Sequence, residues 1–128
     1  MGKKGLCAII AVNNVGYIGL NNKLLWKSSG DMSHFIKSTM GQRLLVGYNT
    51  SLELPPLKNR TIIVDTRDEM FDADWCIGGK KTYEKYCHLF TELHISHIDD
   101  NSIGDVMFPD FRNLNPECKI YNYYFKTN

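Results

Sequence analysis

Residues 6–12 of the chain form a near-continuous apolar run, Leu6 to Val12 without a charged side chain. A run that short, with no polar alternation, predicts a strand covered on both faces, as in the middle of a parallel sheet. Residues 43–46 and 61–64 repeat the pattern, and 75–77 gives a shorter fourth strand. Residues 93–98 alternate as a fifth strand, and 120–125, rich in Ile, Tyr and Phe, predict a last one from β propensity. Between these runs the period changes. Residues 29–31 look like a helix start, Met32, Phe35, Ile36 and Thr39 then fall on one helical face, and Gly41 ends it. The turn at 47–50 leads into a short helix closed by Pro55 and Pro56. Gly78 and Gly79 open a further helix with Tyr83, Tyr86, Cys87 and Phe90 on one side. Residues 13–19 are rich in turn formers, and a polar loop runs on to Trp26. Strands alternating with helical segments predict an α/β fold, a mostly parallel sheet with helices on both faces. With no repeat and no linker, residues 1–128 are expected to be one domain.

Composition narrows the function classes. Lys plus Arg is 15 against 14 Asp plus Glu, a formal charge of +1, which gives no reason to expect nucleic acid or a membrane as partner. Cys7, Cys76, Cys87 and Cys118 form no C-x-x-C pair, and His34, His88, His94 and His97 have no metal-ligand spacing. No metal is therefore expected, and the cysteines read as reduced and mostly buried. Run 6–12 is too short to span a bilayer and no signal-peptide pattern precedes it, so the expected location is cytoplasmic.

Three features could carry chemistry, each with a plainer alternative. Asp31 at the helix start is either an N-cap accepting backbone N–H bonds, or a carboxylate in an apolar cleft walled by Trp26, Met32 and Phe35. In a cleft it could hydrogen-bond a heterocycle and help to protonate it. Gly78-Gly79-Lys80-Lys81, between strand and helix, is either a plain turn or a place where backbone N–H groups meet phosphate. Gly47-Tyr48-Asn49-Thr50 is a second turn of the same kind, and two such turns in one sheet could hold both ends of a dinucleotide. Arg60 reads either as a solvated surface charge or as an anion-binding fork.

The order and spacing of these residues resemble the dihydrofolate reductases. Ala11-Val12, Ile18-Gly19, Trp26-x4-Asp31-x3-Phe35, Thr39, Val46-Gly47, Leu57-x2-Arg60, Ile77-Gly78-Gly79-x3-Tyr83, Ser96-His97-Ile98 and Gly104-Asp105-x2-Phe108-Pro109 carry the likeness. The resemblance implies that fold and an NADPH-dependent reduction of dihydrofolate, with NADH as a possible substitute and a small-molecule substrate as partner. It implies that Asp31 binds the pterin edge and promotes protonation of N5, and that Trp26 holds a water and walls the cleft. Ile9, Met32, Phe35, Leu57 and Ile77 would surround the pterin and aminobenzoyl groups. Arg60 would pair with the glutamate α-carboxylate as a planar fork, and Ser96 would hydrogen-bond near Asp31. Ala11, Ile18 and Tyr83 would contact the nicotinamide, with Gly19 in the lid of residues 13–25. The Gly78-Gly79 bond would be cis, and its N–H groups with those of Lys80, Lys81 and Thr82 would bind pyrophosphate. Gly47, Tyr48, Asn49 and Thr50 would bind phosphate at the other helix start, and Thr66 and Arg67 would face the adenosine end.

Departures from the family pattern bear on the cofactor and on the sheet edges. Segment 68–75 is short where the family places an extra helix and strand over the adenosine end. Tyr48 stands where an arginine commonly grips a 2′-phosphate, a charge that Arg67 could supply, and Leu25 replaces a proline before Trp26. The stretch after Phe108-Pro109-Asp110 is short for the usual terminal hairpin, leaving an exposed edge in a monomer or a pairing edge in a homodimer. Such trimming fits a shortened, phage-type member. Two other readings compete: a non-catalytic folate-binding or assembly protein, and a related reductase of another heterocycle, for which Arg60 is the discriminating residue.

Overall fold

A computed structural model describes residues 5–19, 25–65 and 72–128. Its elements are β1 (Leu6–Asn13), β2 (Tyr17–Gly19), α1 (Ser29–Thr39), β3 (Arg43–Val46), α2 (Tyr48–Ser51), β4 (Thr61–Val64), β5 (Trp75–Cys76), α3 (Lys80–Tyr86), β6 (Phe90–Asp99), β7 (Val106–Met107) and β8 (Lys119–Lys126). A single 3-10 turn, Cys87–Leu89, joins α3 to β6. The main sheet has six strands in the order β4-β3-β5-β1-β6-β8, and every neighbouring pair is parallel. A separate antiparallel ribbon pairs β2 with β7.

The central place of β1 explains its sequence. A strand with neighbours on both sides and a layer on each face has no position that favours a polar side chain. Leu6, Ala8, Ile10 and Val12 pack with Tyr83, Tyr86 and Cys87 and with Leu45, Cys76, Phe90, Leu93 and Ile95 in the main core. The alternate residues Cys7, Ile9 and Ala11 are in register with Glu92, His94 and Ser96 of β6, which are in register with Lys119, Tyr121 and Tyr123 of β8. Paired residues of parallel strands share a face, so this second face is the one α1 covers. Tyr123 and Phe125 meet His34 of α1, with ring centroids 4.2 and 5.7 Å away.

Strands 43–46 and 61–64 form with the bounds the sequence predicts, whereas β6 runs from Phe90 to Asp99, beyond the expected 93–98. Glu92 and Asp99 are polar, but they sit in ladders with β1 or β8 that a local pattern cannot reveal, and Thr91 falls at the register shift between β1 and β6. The β2–β7 ribbon falls where the sequence reads as turn and loop. Gly16, with φ of 99°, makes the tight return that lets Tyr17 pair with Met107. Among the described residues, β4 and β8 are the edge strands of the main sheet. Lys119 and Lys126 sit at the two ends of the β8 edge strand. Among the described residues no helix is long and apolar enough to cross a membrane.

Leu45 is fully buried at the centre of β3. Leu45→Ala should cost about 2–5 kcal/mol, the range for deleting a buried leucine side chain. Urea unfolding of the variant should show this as a lower midpoint with an unchanged m-value.

Candidate active site

Helix α1 is capped by Ser28, not by Asp31. The Ser28 hydroxyl accepts from the Asp31 backbone N–H at 3.3 Å and donates to the Lys126 carbonyl at 2.7 Å. Asn128 ties the same turn down: its Oδ1 accepts from the Ser29 N–H at 3.0 Å and from the Ser29 hydroxyl at 3.1 Å, and its N–H donates to the Lys27 carbonyl at 2.9 Å. The N-cap alternative for Asp31 is therefore taken by Ser28, and the Asp31 carboxylate is left free for the cleft. Trp26, Lys27, Ser28, Ser29, Asp31, Met32 and Asn128 line a cavity of about 290 Å³ there. Trp26 is buried, Asp31 half-buried and Met32 exposed on the cleft side.

Burial is the largest influence on Asp31 and raises its pKa above the ordinary value of 3.8. The Ser96 hydroxyl, the Trp26 indole N–H and the His34 ring pull in the other direction without overcoming it. Ser96 Oγ and Trp26 Nε1 favour the charged carboxylate by proximity, but neither closes a hydrogen bond, and both are buried without a partner. The outcome is a carboxyl group that keeps its proton to higher pH than an exposed aspartate.

Further along α1, Ile36 is exposed while Phe35 and, beyond the helix, Leu57 are half-buried. Arg60 reaches back to the helix end: Nε donates to Thr39 Oγ1 at 3.2 Å, Nη2 to the Ile36 carbonyl at 2.5 Å and Nη1 to the Lys58 carbonyl at 2.6 Å. Its guanidinium is thus fixed beside the end of α1 rather than left as a solvated surface charge.

The two glycine turns face one another. The Gly47 N–H donates to the Gly78 carbonyl at 2.7 Å, and the Gly78-Gly79 peptide is cis. A methyl group at Gly47 would collide with Thr82 Oγ1, and one at Gly79 would come within 2.8 Å of Thr50 Oγ1. Bare backbone and two threonine hydroxyls thus form one cradle beyond the ends of β3 and β5. The first-turn N–H groups of α3 at Lys80, Lys81 and Thr82 precede the first intrahelical donor, the Tyr83 N–H bonded to the Gly79 carbonyl at 2.9 Å. This chemistry fits a diphosphate. Tyr48 and Asn49 lie exposed at the rim. Tyr83 is buried behind Gly78, donates to the Ile9 carbonyl at 2.7 Å, and burial pushes its pKa well above the usual 10.0. Ile77, whose N–H donates to the Leu45 carbonyl at 2.9 Å, leads into this cradle.

Ala11 lies half-buried on β1 one register step from Ile9, paired with Ser96. Ile18 packs on the core and the Gly19 carbonyl accepts from the Asp105 N–H at 3.0 Å. Asn13 anchors this loop, accepting from the Val15 and Tyr17 N–H groups and donating to Asp100 Oδ2 at 3.1 Å and to the Ser102 carbonyl at 2.7 Å. Burial would raise the Asp100 pKa, but the bonds from Asn13 and Ser102 outweigh it and hold the group below the usual value. Thr66 and Arg67 lie outside the described residues. Sequence reasoning did not single out Ser28, Asn128 or His34. The Ser28 spacing to Asp31 is a readable cap signal, whereas Asn128 reaches the site only through the tertiary fold.

Comparison with known proteins agrees with this geometry. The family model for dihydrofolate reductase matches residues 5–76. The dihydrofolate reductase of Buchnera aphidicola subsp. Schizaphis graminum is 30% identical, covering 92% of this chain and 84% of the relative. That of Mycoplasma genitalium is 39% identical over 78% of this chain and 80% of its own. The solved dihydrofolate reductase from Enterococcus faecalis complexed with NADP(H) superposes with a TM-score of 0.74 at 25% identity, covering 86% of this chain and 80% of that one.

The raised Asp31 pKa has a consequence for stability. Between pH 3.8 and the folded value, the folded chain binds a proton that the unfolded chain has lost, so stability falls as pH rises through that window. Asp31→Asn, which cannot ionise, should therefore have a higher Tm than the native chain at neutral pH. The gain should vanish in acid below the ordinary aspartate value. Equal Tm values at neutral pH would show that the carboxylate is not destabilised by its surroundings.

Proposed function

We propose, since this chain belongs to the dihydrofolate reductase family, that it reduces 7,8-dihydrofolate to 5,6,7,8-tetrahydrofolate with NADPH. The observation that carries this reading is the position of a carboxyl group with a raised pKa in a half-apolar cleft, with the paired glycine turns on the same sheet. Both turns follow the carboxyl ends of parallel strands, where α/β sheets bind ligands. The NADP(H) held by the Enterococcus faecalis neighbour supports the cofactor.

When bound, NADPH supplies a hydride to C6 of the pterin. The residues of this chain do the rest. Backbone N–H groups from Gly79 to Thr82, with Thr50, would hold the diphosphate, and Ala11, Ile18 and Tyr83 would line the nicotinamide pocket. Gly19 would close over it from the lid, Gly47, Tyr48 and Asn49 would flank the second turn, and Thr66 and Arg67 would face the adenosine end. The two Asp31 oxygens match the two donors of the pterin N3 and 2-amino edge. A carboxyl group whose pKa is moved towards working pH is better suited to proton traffic, here the proton that N5 gains as C6 gains the hydride. Trp26 and Met32 wall this group from bulk water, Ser96 and a water held by Trp26 would complete its polar surroundings, and Ile9, Phe35, Leu57 and Ile77 would pack around the substrate. Arg60, with two of its donors holding the end of α1 and a third the Lys58 carbonyl, would turn its remaining edge to the glutamate α-carboxylate. The thiols of Cys76, Cys87 and Cys118 support a reducing compartment, the cytoplasm.

The direct test is NADPH oxidation dependent on dihydrofolate, which should be absent without either compound. Asp31→Asn should lose most turnover at neutral pH, and full activity in that variant would remove Asp31 from the reaction. Arg60→Lys should raise KM for dihydrofolate by roughly tenfold to a hundredfold, the worth of charged hydrogen bonds at about 1.5–3 kcal/mol, with a much smaller change in kcat. An unchanged KM would assign the site to a heterocycle without a glutamate tail.

A further inference from the structure

Gly30 lies in the first turn of α1, and a methyl group there would come within 2.9 Å of a Phe125 ring carbon. Phe125 belongs to the β8 ladder, two residues beyond Tyr123, the partner of Ser96. The bare backbone at Gly30 therefore lets the helix start sit directly on the end of the edge strand. Hydrogen bonds fix the same contact. The Ser28 hydroxyl joins the Lys126 carbonyl at 2.7 Å to the Asp31 backbone N–H at 3.3 Å, so one side chain links β8 to the residue that carries the carboxyl group. Just past β8, Asn128 Oδ1 takes both Ser29 donors, and the Asn128 backbone N–H reaches the Lys27 carbonyl at 2.9 Å. Asn128 also lines the cavity that Asp31, Trp26 and Met32 line. The end of β8 thus meets the cleft in two ways, as a seat under α1 and as part of the cavity wall.

We propose that Asn128 is a positioning residue for Asp31: together with Phe125 beneath Gly30, it holds the first turn of α1 against β8 and so sets how far the carboxyl group is withdrawn from water. The use of this seat in turnover rests on the reductase reading, whereas the seating itself is a property of the chain alone. Capping by itself does not fix the position of the turn, because water can satisfy first-turn N–H groups as well as a side chain can. The bonds to Lys126, Ser29 and Lys27 and the Phe125 contact do fix it, since each joins α1 or the residue before its cap to β8 or to Asn128. The ionisable groups near the carboxyl are Lys27, which lines the same cavity, and His34 on α1, while β6 presents the neutral Ser96. The Asn128 side chain bonds to neither Lys27 nor His34, so replacing it with alanine changes where Asp31 sits rather than the charge around it.

The test is NMR titration of the Asp31 side-chain carboxyl carbon, with kcat, in the full chain and three variants of it. Asn128→Ala removes both bonds to Ser29. Gly30→Ala puts a methyl group against Phe125 while raising helix propensity, so it separates seating from helix strength. In both variants the Asp31 midpoint should fall towards 3.8. Their kcat with dihydrofolate at neutral pH should fall roughly tenfold, about the worth of one neutral hydrogen bond. Asn128→Asp keeps an acceptor for both Ser29 donors and adds a negative charge to the cavity, so its Asp31 midpoint should rise instead. A midpoint that does not fall in whichever alanine variant folds overturns the proposal. So does a fall of the same size in Asn128→Asp, or a moved midpoint with unchanged kcat in a chain that turns over. Opposite midpoint shifts in a chain without dihydrofolate-dependent turnover support the seating and reject the reductase reading instead.

Discussion

A carboxylate withdrawn from water is costly, and much of the local architecture in this chain holds one in that position. Asp31 is on the first turn of α1, where helix amides favour negative charge, yet burial wins and the acid form is favoured. The helix start cannot drift out to solvent, because Ser28 and Asn128 bind it to the end of β8 on one side and to the Lys27 carbonyl on the other. Trp26 and Ser96 stand by with buried donors that favour the charged state without satisfying it. The carboxyl group thus keeps its proton to higher pH than an exposed aspartate, the direction that suits a proton-handling group.

The all-parallel sheet sets where this group can act. Parallel strands end together, so the turns after β3 and β5 and the start of α1 gather at one end of the molecule. At the glycine turns, space is the deciding quantity: Thr82 and Thr50 hydroxyls occupy the places where side chains at Gly47 and Gly79 would go. The Asp31 cleft and the glycine cradle are therefore built by different physics, desolvation in one and bare backbone in the other, on a common frame. The Asn13–Asp100–Ser102 cluster extends that frame to the β2–β7 ribbon.

Much of this was legible in the sequence, and the limits are physical. The runs at 43–46 and 61–64 stand between strong breakers, so their bounds could be read directly. Glu92 and Asp99 extend β6 because neighbouring strands pair with them, which no local pattern encodes. The β2–β7 ribbon was missed because its residues, Gly16 above all, favour a turn, and its partner lies far along the chain. Asp31 and the Gly78-Gly79 turn were found by spacing, but which residue capped α1 was misjudged as a possible role for Asp31, although Ser28 three positions earlier has the cap spacing.

The central claim is that a desolvated Asp31 governs protonation of the reduced ring. It is tested most directly by single-turnover hydride transfer from NADPH and its 4-deuterated form to dihydrofolate across pH. The account requires a rate constant with a normal deuterium isotope effect that falls as pH rises through a midpoint above the ordinary aspartate value. It also requires that this pH dependence be lost when residue 31 is Asn. A hydride-transfer rate that is independent of pH in the native chain, or that keeps its midpoint after that replacement, would contradict it.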